Sequence, residues 1–146
     1  MKVRDAMSED VMMVNPGQTI RDAARHMLEC DIGALPVGEN DRLVGMLTDR
    51  DIAVRAVASG LGPETRIGDV MSHEVKYCFD DDELEGVAIN MGEIRVRRLP
   101  VVNHDKRLVG IVSLGDVAKC EQARVTGEAV AGVSTPGGGH SQAAPG

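Results

Sequence analysis

The chain has 146 residues with a formal net charge of −7, and only 1% of its residues are aromatic. This length suits one domain or two small ones with an aliphatic core, and the negative charge argues against duplex nucleic acid as the main partner. The cysteines occur in no Cys-x-x-Cys spacing, so we expect neither a zinc site nor a disulfide framework. No apolar stretch has the length of a membrane span, so we expect a cytoplasmic protein without a signal peptide or membrane association.

The first part of the chain predicts elements in the order β-α-β-β-α. Residues 11–14 are predicted to form a short strand. Apolar residues at helical spacing then predict an amphipathic helix over residues 20–30. Two short apolar runs, at residues 34–37 and 43–47, predict a pair of strands joined by a polar turn. A second helix is predicted over residues 49–58.

The same pattern returns 64 to 65 positions later. Met7-Ser8 recurs as Met71-Ser72, and Leu35-Pro36-Val37 recurs as Leu99-Pro100-Val101. Such a repeat indicates one supersecondary unit built twice. We therefore expect an α/β (α+β) fold of two tandem β-α-β-β-α repeats packed as one body with an approximate two-fold axis, because a unit of roughly 60 residues is marginal alone. The second copy is expected to have strands at 75–79, 99–102 and 108–112, and helices at 84–92 and 115–121.

The repeat sets the expected domain boundaries. Repeat 1 is expected over residues 1–60, a linker over 61–66 and repeat 2 over 67–122. From residue 123 onward Gly, Ser, Ala, Pro and Gln become frequent, and this composition predicts a flexible tail over residues 123–146.

Each repeat closes with an apolar-Gly-apolar-apolar run, a hydroxyl residue and, three positions later, an aspartate. Thr48 and Asp51 are this pair in repeat 1, and Ser113 and Asp116 are the pair in repeat 2. At a helix start such a pair forms a capping box, which satisfies the first free N–H groups. The same groups also suit a ligand, because a carboxylate accepts two hydrogen bonds from a cis-diol and a hydroxyl beside free N–H groups favours an anion. The residues alone leave both interpretations open.

Residues 3–120 resemble the cystathionine-β-synthase (CBS) domain pair, also called a Bateman module. The resemblance rests on Val44–Asp51 and Val109–Asp116, together with the two Leu-Pro-Val segments. It implies a non-catalytic regulatory module that binds an adenine nucleotide, such as AMP, ADP or ATP, in the cleft between the repeats. It also implies association as a disc-like homodimer.

By position, the resemblance gives Asp51 and Asp116 the role of holding ribose hydroxyls, and gives Thr48 and Ser113 contacts to ribose or phosphate. A bound nucleotide would change how the repeats or subunits pack, and an unidentified protein partner would sense that change. The alternative is a structural or protein-interaction module that dimerises through apolar helix faces and binds no nucleotide. In that case the four residues act only as caps.

Arg97 and Arg98 are candidate phosphate ligands of repeat 2. The resemblance places basic residues at these positions close to phosphates, and two adjacent arginines suit bidentate pairing. Repeat 1 has Gly33-Ala34 at the equivalent place, so the two sites should be unequal. Alternatively, the arginines pair at the protein surface with Glu93 or with the acidic residues 80–85.

The remaining polar and reactive residues give weaker signals. The acidic residues 80–83 precede a predicted helix, where negative charge interacts favourably with the helix dipole. We therefore interpret them as a helix start and not as a cation site. The cysteines are expected to be buried or half-buried, and an enzyme would have only Cys78 or Cys120 as a nucleophile. No two histidines have metal-ligand spacing, so we expect surface positions for His26, His73, His104 and His140.

Overall fold

The computed structural model describes residues 1–120 and 123–135 of the chain. They form a mixed α/β fold, which confirms the predicted class. The chain divides into two compact units. Residues 12–75 make up one, called here the repeat-1 unit, and residues 1–11 and 76–135 make up the other, the repeat-2 unit. Within the described part of the chain, no helix is both long and apolar enough to cross a bilayer.

In repeat 2 the elements follow the predicted order, whereas repeat 1 lacks the first predicted strand. The helices are α1 (Val3–Ala6), α2 (Ile20–Cys30), α3 (Asp49–Asp51), α4 (Leu84–Ile94), α5 (Leu114–Cys120) and α6 (Ala123–Val133). The strands are β1 (Ala34–Glu39), β2 (Arg42–Thr48), β3 (Cys78–Phe79), β4 (Arg98–Val102) and β5 (Leu108–Ser113). A π-helical segment, Ile52–Val57, continues α3, and a 3₁₀ turn covers Ile67–Asp69.

Helix α2 shows how local sequence sets the ends of an element. The N–H of Asp22 donates to Thr19 Oγ1 at 3.2 Å, and the N–H of Thr19 donates to Asp22 Oδ2 at 3.3 Å, so a capping box begins the helix. The helix ends at Asp31, which takes a left-handed conformation with φ of 53°. Of the predicted apolar stripe, Ile20, Ala23 and Met27 are buried in the core, whereas Ala24 and Leu28 are exposed.

Each unit contains an antiparallel strand pair of the same register. In the repeat-1 unit β1 pairs with β2, and Ala34 lies opposite Thr48. In the repeat-2 unit β4 pairs with β5, Arg98 lies opposite Ser113, and β3 adds a parallel strand beside β4. The inner side chains of these strands join separate cores. The largest fully buried strand residues are Leu35, Val37, Met46 and Leu47 in one unit and Leu99 and Val101 in the other.

The two Met-Ser segments change places between the repeats. Ser72, which opens repeat 2 in the sequence, exchanges two backbone hydrogen bonds with Met46 of β2, at 2.9 and 3.0 Å. Ser8, which opens repeat 1, makes the same pair with Ile111 of β5, at 2.9 and 3.0 Å. Each compact unit therefore combines the strand pair of one repeat with the opening segment of the other.

The first strand of each repeat is shorter than expected. Of residues 11–14, only Val14 pairs, through an isolated bridge to Val37, so the predicted strand is wrong there. The chain turns immediately afterwards, because Asn15 Oδ1 accepts the N–H of Gly17 at 3.0 Å. In repeat 2 the strand predicted over residues 75–79 is limited to Cys78 and Phe79.

The flexible tail predicted from residue 123 is wrong for residues 123–133, which form α6. Three apolar side chains spaced four residues apart, Val125, Ala129 and Val133, are buried where α6 packs on α4. Composition hid this helix because its small residues offer little apolar surface while still allowing close packing. The expected tail over residues 136–146 and the end of the predicted helix at Glu121 lie outside the described residues.

Candidate functional site: two hydroxyl-carboxylate boxes

The pair in the repeat-1 unit forms a buried capping box at the junction of β2 and α3. The N–H of Asp51 donates to Thr48 Oγ1 and the N–H of Thr48 donates to Asp51 Oδ2, both at 3.0 Å. Thr48 is 6% exposed and Asp51 is 1% exposed. Capping is therefore present, and it uses one carboxylate oxygen and one lone pair of the hydroxyl oxygen.

The second oxygen of Asp51 has unusual surroundings. Oδ1 is buried, and no donor within the described residues forms a hydrogen bond to it. The nearest cation is Arg55, whose Nε lies 3.8 Å away in an ion pair, too far for a hydrogen bond. A buried carboxylate oxygen without a donor carries a desolvation cost that a capping role does not explain.

The equivalent box of the repeat-2 unit is more open. The N–H of Ser113 donates to Asp116 Oδ2 at 2.9 Å, and the N–H of Asp116 donates to Ser113 Oγ at 3.2 Å. Both residues are half-buried. The two boxes thus share their hydrogen bonds and differ in exposure.

Strand register brings one of the two predicted arginines to the second box. Because Arg98 lies directly opposite Ser113 in the antiparallel pair, both side chains leave the same face of the sheet. Arg97 precedes the strand, and its carbonyl accepts the N–H of Leu114 at 2.9 Å. At the first box the residue opposite Thr48 is Ala34, so that box has no such cation.

Arg55 is a site residue that the sequence analysis missed. Besides facing Asp51, its Nη1 donates long hydrogen bonds to the carbonyls of Val70 and Met71, at 3.5 and 3.3 Å. Its four-residue spacing from Asp51 on a predicted helix was the available signal, since that spacing brings opposite charges together. The equivalent residue of repeat 2 is Cys120.

A histidine and two aromatic rings cluster elsewhere in the repeat-2 unit. His104 Nε2 lies 2.8 Å from Asp81 Oδ2, and its ring stacks on Phe79 with the centroids 4.7 Å apart. Tyr77 meets Phe79 edge to face, at 5.8 Å. The hydrogen bond with Asp81 raises the pKa of His104, and the same bond lowers the pKa of Asp81.

The cysteines and the acidic run are also located. Cys78 is buried, and its desolvation raises the pKa of the thiol to about 12, which suppresses the nucleophilic thiolate. Cys30 and Cys120 are exposed, so the expectation of burial is wrong for these two. Asp82 Oδ2 accepts the N–H of Phe79 at 2.9 Å, and Glu83 directly precedes α4, as predicted for a helix start.

The duplicated strand pair with its hydroxyl-carboxylate box defines a class of protein. The family model of the CBS domain matches residues 3–57 and 67–122, so the chain belongs to the CBS domain family and carries two copies of the domain. The resemblance stated from the sequence is confirmed.

Relatives share most of this chain. CBS domain-containing protein YhcV of Bacillus subtilis is 45% identical over 116 residues, covering 80% of this chain and 82% of that protein. Hypoxic response protein 1 of Mycobacterium tuberculosis is 43% identical over 118 residues, with the same coverage of 80% and 82%.

Solved structures show the same fold with different bound groups. Hypoxic Response Protein I with two coordinated zinc ions aligns with a TM-score of 0.76 at 40% identity, covering 84% of this chain and 100% of that one. CBSX2 in complex with AMP gives 0.70 at 30% identity, covering 81% and 93%. The CBS domain pair of MJ0100, in complex with 5′-methylthioadenosine and S-adenosyl-L-methionine, gives 0.73 at 29%, covering 82% and 92%. In residues 1–120 and 123–135 of this chain, no three His, Cys, Asp or Glu side chains are grouped to hold a metal ion.

Proposed function

We propose that this protein is a non-catalytic regulatory module that binds an adenosine-containing nucleotide at its two boxes. The observation that carries the proposal is the buried Oδ1 of Asp51, which accepts no hydrogen bond from any of the residues that the structure describes. A ribose hydroxyl supplies the missing donor. The capping bonds leave the corresponding carboxylate oxygen of Asp116 for the same purpose in the second box.

Each box offers a ligand one acceptor and one donor. The carboxylate oxygen outside the capping bonds accepts from a ribose hydroxyl, and the hydroxyl proton of Thr48 or Ser113 can donate to the ligand because the capping bond uses only an acceptor lone pair of the hydroxyl oxygen. In the repeat-2 unit, Arg98 adds a positive charge for a phosphate.

Two related structures support an adenosine ligand. CBSX2 is in complex with AMP, and the MJ0100 pair is in complex with 5′-methylthioadenosine and S-adenosyl-L-methionine. These ligands differ beyond the 5′ carbon and share the adenine ring and a ribose with its cis-diol. A carboxylate that accepts from the diol recognises that shared part.

The first prediction concerns the two carboxylates. Asp51→Ala and Asp116→Ala should each weaken AMP binding at their own site by roughly 1.5–3 kcal/mol, because a charge-assisted hydrogen bond is lost. Isothermal titration calorimetry measures the affinities. Each change should also lower the free energy of unfolding by about 1 kcal/mol through the lost cap.

Asp22→Ala is the matched control. Asp22 occupies the same position in the capping box of α2, away from the two boxes in the sequence, and it should lose stability without a change in AMP affinity. If Asp51→Ala and Asp116→Ala behave like Asp22→Ala, the boxes are caps only. The protein is then the structural or protein-interaction module.

We extend the proposal to a homodimer formed through helices. In the repeat-1 unit, Leu28 of α2 is 82% exposed and Val57 of the π-helical segment is 64% exposed, so both helical segments offer apolar side chains to a second copy. Light scattering of the full chain at micromolar concentration should give twice the mass of 15.5 kDa. A chain that scatters as a monomer at that concentration contradicts this part of the proposal.

A further inference from the structure

Arg55 connects two parts of the repeat-1 unit that are far apart in the sequence. One end of its guanidinium faces Asp51 Oδ1, and the other donates to the carbonyls of Val70 and Met71. The Arg55 side chain is 38% exposed, whereas Asp51 is 1% exposed. A long, half-exposed cation that bridges a buried carboxylate and a backbone segment can move when either partner changes.

The helix that carries Arg55 has an unusual path. The N–H of Ala58 donates to the carbonyl of Ala53, five residues earlier, at 2.9 Å, which is the bond of a π-helix. Such wide turns are rare and occur frequently at functional sites. The equivalent helix of repeat 2, α5, is a regular α-helix.

The segment that Arg55 binds is pressed against the strand leading to the box. Residues 70–72 lie over β2, where a Cβ placed on Gly45 would meet Met71 Sδ at 2.7 Å and the Ser72 carbonyl at 2.8 Å. Ser72 is 3% exposed and its N–H donates to Met46. Three residues beyond Ser72, the chain leaves the repeat-1 unit.

The repeat-2 unit contains the same parts without the arginine. A Cβ on Gly110 would meet Met7 Sδ at 2.5 Å and the Ser8 carbonyl at 2.8 Å, and the Ser8 N–H donates to Ile111. Cys120 stands where repeat 1 has Arg55. The position that a cation occupies in repeat 1 is therefore occupied by a thiol in repeat 2.

We infer that Arg55 couples the state of the Asp51 carboxylate to the anchoring of residues 70–72, so that a ligand hydroxyl on Asp51 loosens this segment. The ligand part rests on the proposed function. A ligand hydroxyl that donates to Oδ1 shares the negative charge that Arg55 Nε faces at 3.8 Å, so it weakens one of the two contacts that hold the guanidinium in place. Repeat 2 binds its ligand without this effect on Met7-Ser8.

A double-mutant cycle in the ligand-free protein tests the coupling itself. Asp51→Asn keeps an oxygen for the cap and removes the charge, and it should accelerate hydrogen exchange of the Ser72 amide by roughly threefold. In the Arg55→Gln background the same change should have no further effect, because the link is already broken. Equal acceleration by Asp51→Asn in both backgrounds, or none in the wild type, overturns the inference.

Asp116→Asn, measured at the Ser8 amide, is the matched control. Its box and covering segment are built alike but lack the arginine, so exchange at Ser8 should not change. An equal effect at Ser8 means that loss of the carboxylate loosens the fold without Arg55, and it overturns the inference. If Asp51→Asn does not fold, Arg55→Gln tests the anchoring, because it must accelerate exchange at Ser72 and leave Ser8 unchanged, and AMP then tests the coupling in the wild type and in Arg55→Gln.

The effect of a ligand is tested by adding AMP to the wild type and to Arg55→Gln. AMP should accelerate exchange at Ser72 in the wild type, and in Arg55→Gln it should bind without that effect. Absence of AMP binding to the wild type refutes the proposed function, while the ligand-free cycle still decides the role of Arg55. AMP binding that moves Ser72 equally in both proteins refutes the role of Arg55 and leaves the proposed function standing.

Discussion

His104 is held at the surface of the repeat-2 unit by charge and by stacking. Its side chain is 67% exposed, and that of Asp81 is 44% exposed, so solvent weakens their attraction. The raised pKa of His104 means that its contribution is complete below the ordinary value of 6.5 and is lost as the pH rises through the higher folded value. The lowered pKa of Asp81 means that its contribution is present above 3.8 and is lost as the pH falls through the folded value.

These signs predict a pH window for the contact. An NMR titration should give His104 a pKa above 6.5 in the wild type, and Asp81→Asn should bring this pKa down. The NMR signals of the stacked Phe79 ring should then report the histidine titration at a lower pH in Asp81→Asn than in the wild type. An unchanged His104 pKa in Asp81→Asn contradicts the assigned cause.

At the scale of single residues, spacing predicted which side chains form the boxes and did not predict their surroundings. Thr48 and Asp51 follow from the repeated pattern, since a capping box is a local structure. The burial of Asp51 Oδ1 and the contact of Arg55 with Met71 depend on residues packed from elsewhere in the chain. Local sequence carries no record of such contacts. The ligand roles of the box residues stay predictions.

At the scale of elements, α6 depends on a close crossing with α4. A Cβ on Gly92 would meet backbone atoms of Ala129 and Glu128 at 3.3 Å, and a Cβ on Gly132 would overlap the backbone of Gly92. A side chain at residue 132 would therefore have to push the two helices apart, whereas one at residue 92 would require a shift of only a few tenths of an ångström. Arg124 adds ion pairs to Glu85 of α4 and to Glu128 of its own helix, at 3.5 and 3.1 Å.

We therefore expect the same substitution at two glycines of α6 to change the free energy of unfolding in opposite directions. Gly132→Ala should lower the free energy of unfolding by about 1–3 kcal/mol, because the new methyl group forces α6 away from α4. Gly127→Ala, whose Cβ meets nothing within 4 Å, should raise it by about 0.5–1 kcal/mol through helix propensity. Urea denaturation measures both. Equal effects of the two changes contradict the docked helix.

The same scale explains which elements the sequence could predict. Helix α2 has the bounds expected for it, because its cap and apolar stripe are both local. Helix α6 was missed because its partner surface at Gly92 lies more than 30 residues away and its residues are mostly small. The exchange of Met-Ser segments was also missed, because a repeat in sequence does not say which copy each segment joins.

At the scale of the whole molecule, the two units are alike in architecture and unequal in charge. The first box is buried, faces Arg55 and has Ala34 opposite its threonine. The second box is half-open and has Arg98 opposite its serine. Under the proposed function, the repeat-2 site is the one that recognises a phosphate, and the repeat-1 site recognises the nucleoside part.

The last prediction follows from this inequality. Replacing Arg97 and Arg98 together by Ala should remove most of the preference for AMP over adenosine, because only the phosphate interacts with the positive charge that is removed. It should also remove much of the salt dependence of AMP binding, because a charge contact is screened and a hydroxyl contact is not. Adenosine affinity should change little. Titrations of both ligands at low and high salt, on wild type and double variant, measure these effects.

Arg97→Ala alone separates the two arginines. The variant keeps the backbone carbonyl of residue 97, which accepts the N–H of Leu114. Arg97 also precedes the strand pair, in which it is Arg98 that lies opposite Ser113. Arg98→Ala should therefore reproduce most of the loss seen in the double variant, and Arg97→Ala only a smaller part. Equal losses of AMP and adenosine affinity would mean that the arginines hold the strand in place, because a phosphate contact cannot weaken a ligand that has no phosphate.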